Sequence, residues 1–338
     1  MTVLRSSVGP ALRRTAIAPV PDQPDQPRDS GEGSESSVEG NPEQPGRRDE
    51  PMLRVLACLD DDLRAETARE LLDVDRSRAA GLGEQALEIL DRGHYALPDG
   101  HSVDLTGAMR TAMAGVTSVP PDADLPAPVP RPTFTTTVQV VNETSLMAGQ
   151  RLAERGTTPA ILNLANGVTP GGGFLGGARA QEETLCRSSG LYPTLEGQAM
   201  YEHHRRRGDY ESSDWVIVSP DVPVFRDDSG ALLRQPWLAT FVTSAAPVAY
   251  RVGQPRSAEL MRSRIHRVLA VAHAYGCTDL VLGAWGCGAF GNDPDLTARA
   301  FRSALETFAG AFDRVVFAVT DWSPERRFLG PFRDVFDT

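Results

Sequence analysis

Gly171-Gly172-Gly173-Phe174-Leu175-Gly176-Gly177-Ala178-Arg179-Ala180-Gln181-Glu182-Glu183 is the stretch on which the reading of this chain turns. Five glycines fall in its first seven positions, and an amide and two adjacent carboxylates follow. Glycine loses more backbone entropy on folding than any other residue. A run of it makes sense where the main chain must come close to something or adopt φ > 0; a mobile surface loop is the competing reading. Upstream, Ala160 to Ala165 reads as a short buried strand, and downstream Gln181 to Leu191 has helix-compatible composition. Strand, glycine loop, then acids at a helix start is the layout of a site. Carboxylates are also favoured in a first helical turn by the helix dipole alone, so the acids gain their meaning from the loop in front of them.

Working outward, strands and helices alternate. Val138 to Asn142, Ile161 to Ala165, Trp215 to Val218, Ala239 to Thr243, Leu280 to Leu282 and Val315 to Val319 read as strands. Helices are expected over Ser145–Arg155, Glu196–Arg207, Ala258–Tyr275 and Asp293–Phe308. The third carries Met261, Ile265, Val268, Leu269 and Ala272 on one side and ends at Gly276. Asp293-Pro294 supplies an N-cap and a pre-set first turn. This alternation predicts an α/β fold with a largely parallel or mixed sheet covered on both faces. Ligands bind such sheets beyond the carboxyl ends of the strands.

A second glycine-rich loop, Gly283 to Asp293, follows the Leu280–Leu282 strand and precedes the Asp293 helix. Backbone N–H groups of such a turn suit an anion, with phosphate or diphosphate the natural occupant. Gly171-x-Gly173-x-x-Gly176 and Gly286-x-Gly288-x-x-Gly291 both match G-x-G-x-x-G, but neither is followed by the acid-bearing strand that a dinucleotide site needs. The chain contains no lysine, which excludes a P-loop. No histidine has an evident route to Cys186 or Cys287, so both read as buried or incidental. His203-His204 before Arg205-Arg206-Arg207 reads as a solvated helix face, and His94 and His101 as surface residues. Neighbouring acids have Cα atoms about 3.8 Å apart, so they cannot flank a bond from opposite sides as a standard glycosidase pair does. A division of labour fits better: one carboxyl as acid/base, the other orienting hydroxyls, with one pKa raised by the proximity of the two.

Four further regions are expected. Residues 1–50, rich in Pro, Gly, Ser and charge, read as a disordered tail; 51–119 as a helical N-terminal extension; 120–132, with six prolines, as a linker; and 133–338 as the catalytic domain. A net charge of −11 argues against general nucleic-acid binding. No 18-residue apolar run is present and the N-terminus lacks an apolar signal region. Four cysteines without metal-ligand spacing (Cys58, Cys186, Cys277, Cys287) point to free thiols in a reducing cytoplasm and to no metal.

Gly171-Gly172-Gly173, seven residues, then Gln181-Glu182-Glu183 resembles the GGG-X6–8-QEE signature of poly(ADP-ribose) glycohydrolases, and the surrounding chain is similar to their microbial branch. The resemblance extends over roughly 55 to 335 and includes Asn163-Leu164-Ala165-Asn166, similar to the N-x-A-N of macrodomains. It implies a macrodomain-like three-layer α/β/α core with a mixed sheet, behind the helical extension and tail. It implies Glu183 as the catalytic acid/base and Glu182 as the residue positioning ribose hydroxyls. Asn166 and Gln181 would hold the terminal ribose. Gly171, Gly172 and Gly173 would belong to the substrate-binding set, with Gly286, Cys287, Gly288, Ala289 and Gly291 cradling the diphosphate and Phe290 packing on the ligand. The implied substrate is poly(ADP-ribose) or ADP-ribosylated protein, cleaved from chain ends without metal or cofactor, by a monomer. A non-catalytic ADP-ribose reader and a mono-ADP-ribosyl hydrolase are the alternatives.

Overall fold

The computed structural model describes residues 53–128, 130–131 and 133–337. The tail expected over 1–50 lies outside the described residues, as do Val129 and Pro132 of the proline-rich stretch. In chain order the first elements are β1 (Leu53–Val55), α1 (Asp62–Leu72), α2 (Arg76–Arg92), β2 (His94–Ala96), β3 (Ser102–Asp104), α3 (Thr106–Gly115) and β4 (Thr117–Val119). Then come β5 (Thr136–Val141), α4 (Ser145–Ala153), β6 (Ala160–Ala165), α5 (Gln181–Ser188), α6 (Leu191–Leu195), α7 (Ala199–Arg207), β7 (Val216–Arg226) and β8 (Leu232–Ala245). The chain closes with α8 (Ala249–Val252), α9 (Arg256–Ala274), β9 (Asp279–Leu282), α10 (Pro294–Thr307), β10 (Arg314–Ala318) and α11 (Leu329–Phe336).

Local chemistry sets several boundaries. Asp61, Asp75 and Asp293 each accept a backbone N–H of the first turn of α1, α2 and α10, at 2.8, 2.9 and 3.0 Å. The central strands are nearly unbroken apolar runs because both of their faces are covered. Their side chains alternate between two apolar layers. Leu162, Leu280, Leu282, Val315 and Phe317 pack with Ile265 of α9, Phe301 of α10 and Phe332 of α11. Ile161, Val281 and Val316 pack on the other side with Leu146, Leu152, Leu185 and Leu191 of α4 to α6. The result is a helix–sheet–helix sandwich, as expected from the sequence.

The main sheet has eight strands in the order β1-β5-β10-β9-β6-β8-β7-β4. The run from β1 to β8 is parallel, and β7 and β4 are added antiparallel. The carboxyl ends of β5, β10, β9, β6 and β8 therefore share one edge.

Two features exceed what the periodicity predicts. The 51–119 stretch has its three helices, and it also supplies both edge strands of the sheet, β1 beside β5 and β4 beside β7. Three-residue strands carry no readable period, and only pairing defines them. The described residues form one compact unit. Arg267 of α9 donates to the carbonyls of Pro120 and Ala123, both at 2.9 Å, so the start of the proline-rich stretch is fastened to the sandwich. Among the described residues no helix is long and apolar enough to cross a membrane.

Candidate active site

β6 ends at Ala165 and the chain turns at Asn166, whose side-chain Oδ1 accepts the N–H groups of Val168 and Thr169, both at 2.9 Å. The glycine loop follows and is anchored by Phe174, which is buried and packed against Tyr192, with ring centroids 4.7 Å apart and the planes tilted by 49°. The loop rests on α2. A β-carbon at Gly83 would lie 3.1 Å from the Phe174 carbonyl oxygen, and Arg76 donates to the Gly176 carbonyl at 2.9 Å. Chain then enters α5 at Gln181, which puts Glu182 and Glu183 in its first turn.

Both acids are buried, at 3% and 8% exposure. Glu182 Oε2 accepts the Asn166 N–H at 2.7 Å, and Glu183 Oε1 accepts the Gly173 N–H at 3.0 Å. Glu183 Oε2 is buried with no hydrogen-bond partner. Burial, the dominant cause, and the neighbouring Glu183 charge push the Glu182 carboxyl up to about 8 against the opposing Asn166 hydrogen bond. The raised pKa foreseen for one of the two acids thus falls on Glu182. The close approach that the glycines permit is to the acids themselves. Gly172 lies at φ +58°, and a β-carbon there would sit 2.3 Å from Glu183 Oε1 and 3.1 Å from Glu182 Oε2.

The acids border a cavity of about 730 Å³ along the shared strand edge. The loop after β9 also lines it, contributing Gly286, Gly288, Ala289 and Phe290. Within that loop the Cys287, Gly291 and Asn292 N–H groups close onto Ala284, Gly288 and Gly286 carbonyls. The N–H groups of Gly286, Gly288, Ala289 and Phe290 make no hydrogen bond among the described residues. Unpaired backbone donors beside a cavity are what an anion site requires. Gly286 is at φ +73° and a β-carbon there would lie 2.8 Å from that of Ala246, so the turn excludes any larger residue.

The residues expected to contact substrate divide. Glu182, Glu183, Asn166, Gln181, Gly286, Gly288, Ala289 and Phe290 line the cavity. Gly171, Gly172 and Gly173 do not line it; Gly172 lies against both carboxylates and the Gly173 N–H donates to Glu183. Cys287 is buried, with its Sγ 3.6 Å from the Trp285 carbonyl, and Gly291 faces Tyr250 outside the cavity. The Gln181 amide is committed to β6, donating to the Leu162 carbonyl at 2.7 Å and accepting the Leu164 N–H at 2.9 Å. His204 is a correction: it is buried, not solvated. Its Nδ1 is 2.8 Å from the Gly167 carbonyl and its Nε2 2.6 Å from Ser213 Oγ, and burial lowers it to about 4.

Sequence reasoning missed part of the cavity lining. There Val319, Trp322 and Phe328 follow β10, Glu143 and Thr144 follow β5, and Asp228 is buried with Thr144 donating to it at 2.6 Å. Burial raises Asp228 to about 6. The rule that ligands lie beyond strand carboxyl ends would have picked out Asn142-Glu143-Thr144; nothing local marks Trp322, Phe328 or Asp228.

Residues 83–227 match the family model described as the microbial-type PARG catalytic domain. The chain is similar to the crystal structure of poly(ADP-ribose) glycohydrolase from Thermomonospora curvata, with 41% identity and a TM-score of 0.71, over 76% of this chain and 98% of that one. A second structure of that enzyme, bound to the inhibitor ADP-HPD, matches at 39% identity and a TM-score of 0.70 over the same shares. The enzyme from Deinococcus radiodurans in complex with ADP-ribose matches at 42% identity and a TM-score of 0.63, over 70% of this chain and 99% of that one. Comparison with curated protein sequences gives no significant match. With nearly the whole of two such enzymes covered at about two-fifths identity, this chain belongs to the microbial-type poly(ADP-ribose) glycohydrolases.

Proposed function

We propose that this protein hydrolyses the ribose–ribose O-glycosidic bond at the ends of poly(ADP-ribose), releasing ADP-ribose, with Glu183 as general acid/base. The observation that carries the reading is that a buried carboxyl pair and a loop with four unpaired backbone N–H groups border one cavity. The N–H groups of Gly286, Gly288, Ala289 and Phe290 suit the diphosphate. The apolar end with Trp322 and Phe328 suits the adenine, and the acid end suits the ribose being cleaved. As the general acid, Glu183 enters the cycle carrying a proton. Glu183 delivers it to the leaving 2′ oxygen as the C1″–O bond breaks and an oxocarbenium-like ribose forms. The resulting Glu183 carboxylate takes a proton from the water that adds to C1″, which restores the acid. Glu182, fixed by the Asn166 N–H, orients the ribose hydroxyls.

The working unit in this reading is a monomer, and four free cysteines fit a reducing cytoplasm. Residues 133–338 would carry the chemistry, with the 51–119 extension bracing the glycine loop through α2. The test is product analysis by mass spectrometry from automodified polymer. Glu183→Ala is expected to abolish ADP-ribose release while calorimetric ADP-ribose affinity stays within about threefold. Unchanged turnover in that variant removes the assignment of Glu183. Binding without any product from the wild-type chain would make the protein a reader, and release only from singly modified protein a mono-ADP-ribosyl hydrolase.

A further inference from the structure

We infer that the exposed surface formed by Tyr210, Tyr250 and Arg251 is a second nucleotide subsite, holding the unit adjacent to the one being released. The inference rests on the glycohydrolase reading and follows from strand order. β10, β9, β6 and β8 are successive parallel neighbours with their carboxyl ends on one edge. The aromatic residues Trp322 and Phe328 follow β10, the unpaired N–H loop follows β9, and Asn166, which fixes Glu182, follows β6. Base, diphosphate and scissile ribose are thereby laid out in that order along the edge. The leaving oxygen belongs to the adenosine ribose of the next unit, so the remaining polymer starts at the acids. The next strand end it meets is that of β8, which runs into Ala246–Val252.

That segment is joined to the diphosphate loop. Ala249 N–H donates to the Phe290 carbonyl at 2.8 Å, and the Asn292 amide donates to the Pro247 carbonyl at 2.8 Å. Tyr250 borders Gly291 and is 70% exposed; Tyr210 is 53% exposed. Tyr210 is held in left-handed backbone at φ +58°, with its carbonyl accepting the Val248 N–H at 2.9 Å. Non-glycine residues persist there only where surrounding structure enforces it. The Arg251 guanidinium lies 4.9 Å from the Tyr210 ring centroid. Nearby Arg207 and Arg256 are paired with Asp209 and Glu211, whereas Arg251 forms no ion pair among the described residues. Exposed aromatic rings with an unspent guanidinium are the equipment for stacking a base and meeting its phosphates, and they stand out on a chain of net charge −11.

The test compares two substrates of the full chain: defined ADP-ribose oligomers, and ADP-ribose bearing a small aryl group on the 1″ oxygen, which lacks the second nucleotide. In the Tyr250→Ala/Arg251→Ala variant, kcat/KM on oligomers is expected to fall roughly tenfold, within the range that base–aromatic stacking supports. Hydrolysis of the aryl compound should stay within about twofold of wild type, and Tyr250→Phe, which keeps the ring, should retain the oligomer rate. Unchanged oligomer turnover overturns the subsite. Equal losses on both substrates also overturn it, because the residues would then act through the Phe290 loop. A wild-type chain that releases ADP-ribose from neither substrate brings down the glycohydrolase reading and the subsite with it.

Discussion

Replacing Gly172 by alanine is the sharpest test of what the glycine loop does. The added β-carbon would lie 2.3 Å from Glu183 Oε1 and 3.1 Å from Glu182 Oε2, on backbone at φ +58°. Ordinary contact begins near 3.4 Å. The Glu183 carboxyl, held at 3.0 Å by the Gly173 N–H, must therefore move by about 1 Å or the loop must shift by as much. A misplacement of about 1 Å in a reacting group costs on the order of 100-fold in rate. The left-handed backbone adds roughly 1–2 kcal/mol of strain for an L residue. At about 2–4 °C per kcal/mol for a domain of this size, Tm should fall by a few degrees. Steady-state release of ADP-ribose from polymer should therefore drop on the order of 100-fold. ADP-ribose affinity by calorimetry should change little, because Gly172 does not line the cavity. Gly176→Ala, where nothing lies within 4 Å of the new carbon, is the matched control. A Gly172→Ala enzyme within about threefold of wild-type kcat would refute the claim that this loop sets the position of the acids.

Three further outcomes are expected. The Glu182 carboxyl is raised by folding, so the native state binds its proton more tightly than the unfolded chain: this contribution to stability is full below the unfolded pKa and is lost as pH rises towards about 8. Glu182→Gln should flatten that decline in urea-unfolding curves taken from pH 5 to 8, and a slope identical to wild type would contradict the burial argument. Phe174→Ala removes the fully buried anchor of the loop and should cost about 3–5 kcal/mol by denaturant titration; a loss under about 1 kcal/mol would mean that the loop is held elsewhere. Cys287→Ala should leave kcat/KM within about threefold, because the thiol lies against the Trp285 carbonyl away from the cavity; a large loss would place it in contact with substrate.

Much of the site can be read from neighbouring residues. Asp293-Pro294 specifies the start of α10, and the Met261–Ala272 stripe specifies the buried face of α9. The triple glycine before Gln181-Glu182-Glu183 specifies a close approach of main chain to something. Each of these signals acts within one or two turns of chain, where capping, periodicity and φ preference operate, so composition and spacing suffice. His204 shows where such reasoning stops. A histidine next to three arginines has the composition of a solvated face, yet α7 turns it inward to meet Gly167 and Ser213.

By itself, then, the order of residues determined the alternation of strands and helices, the glycine loop, the acid pair and the second glycine-rich turn. The tertiary structure alone decided that the glycines press on the carboxylates, that α2 braces their loop, and that three-residue strands close both sides of the sheet. It also decided that Trp322, Phe328 and Asp228 complete the cavity. The physical reason is range. Caps and turns are settled by contacts a few residues apart, whereas strand order depends on burying apolar faces contributed by segments more than a hundred residues distant, and no local pattern records which faces will meet.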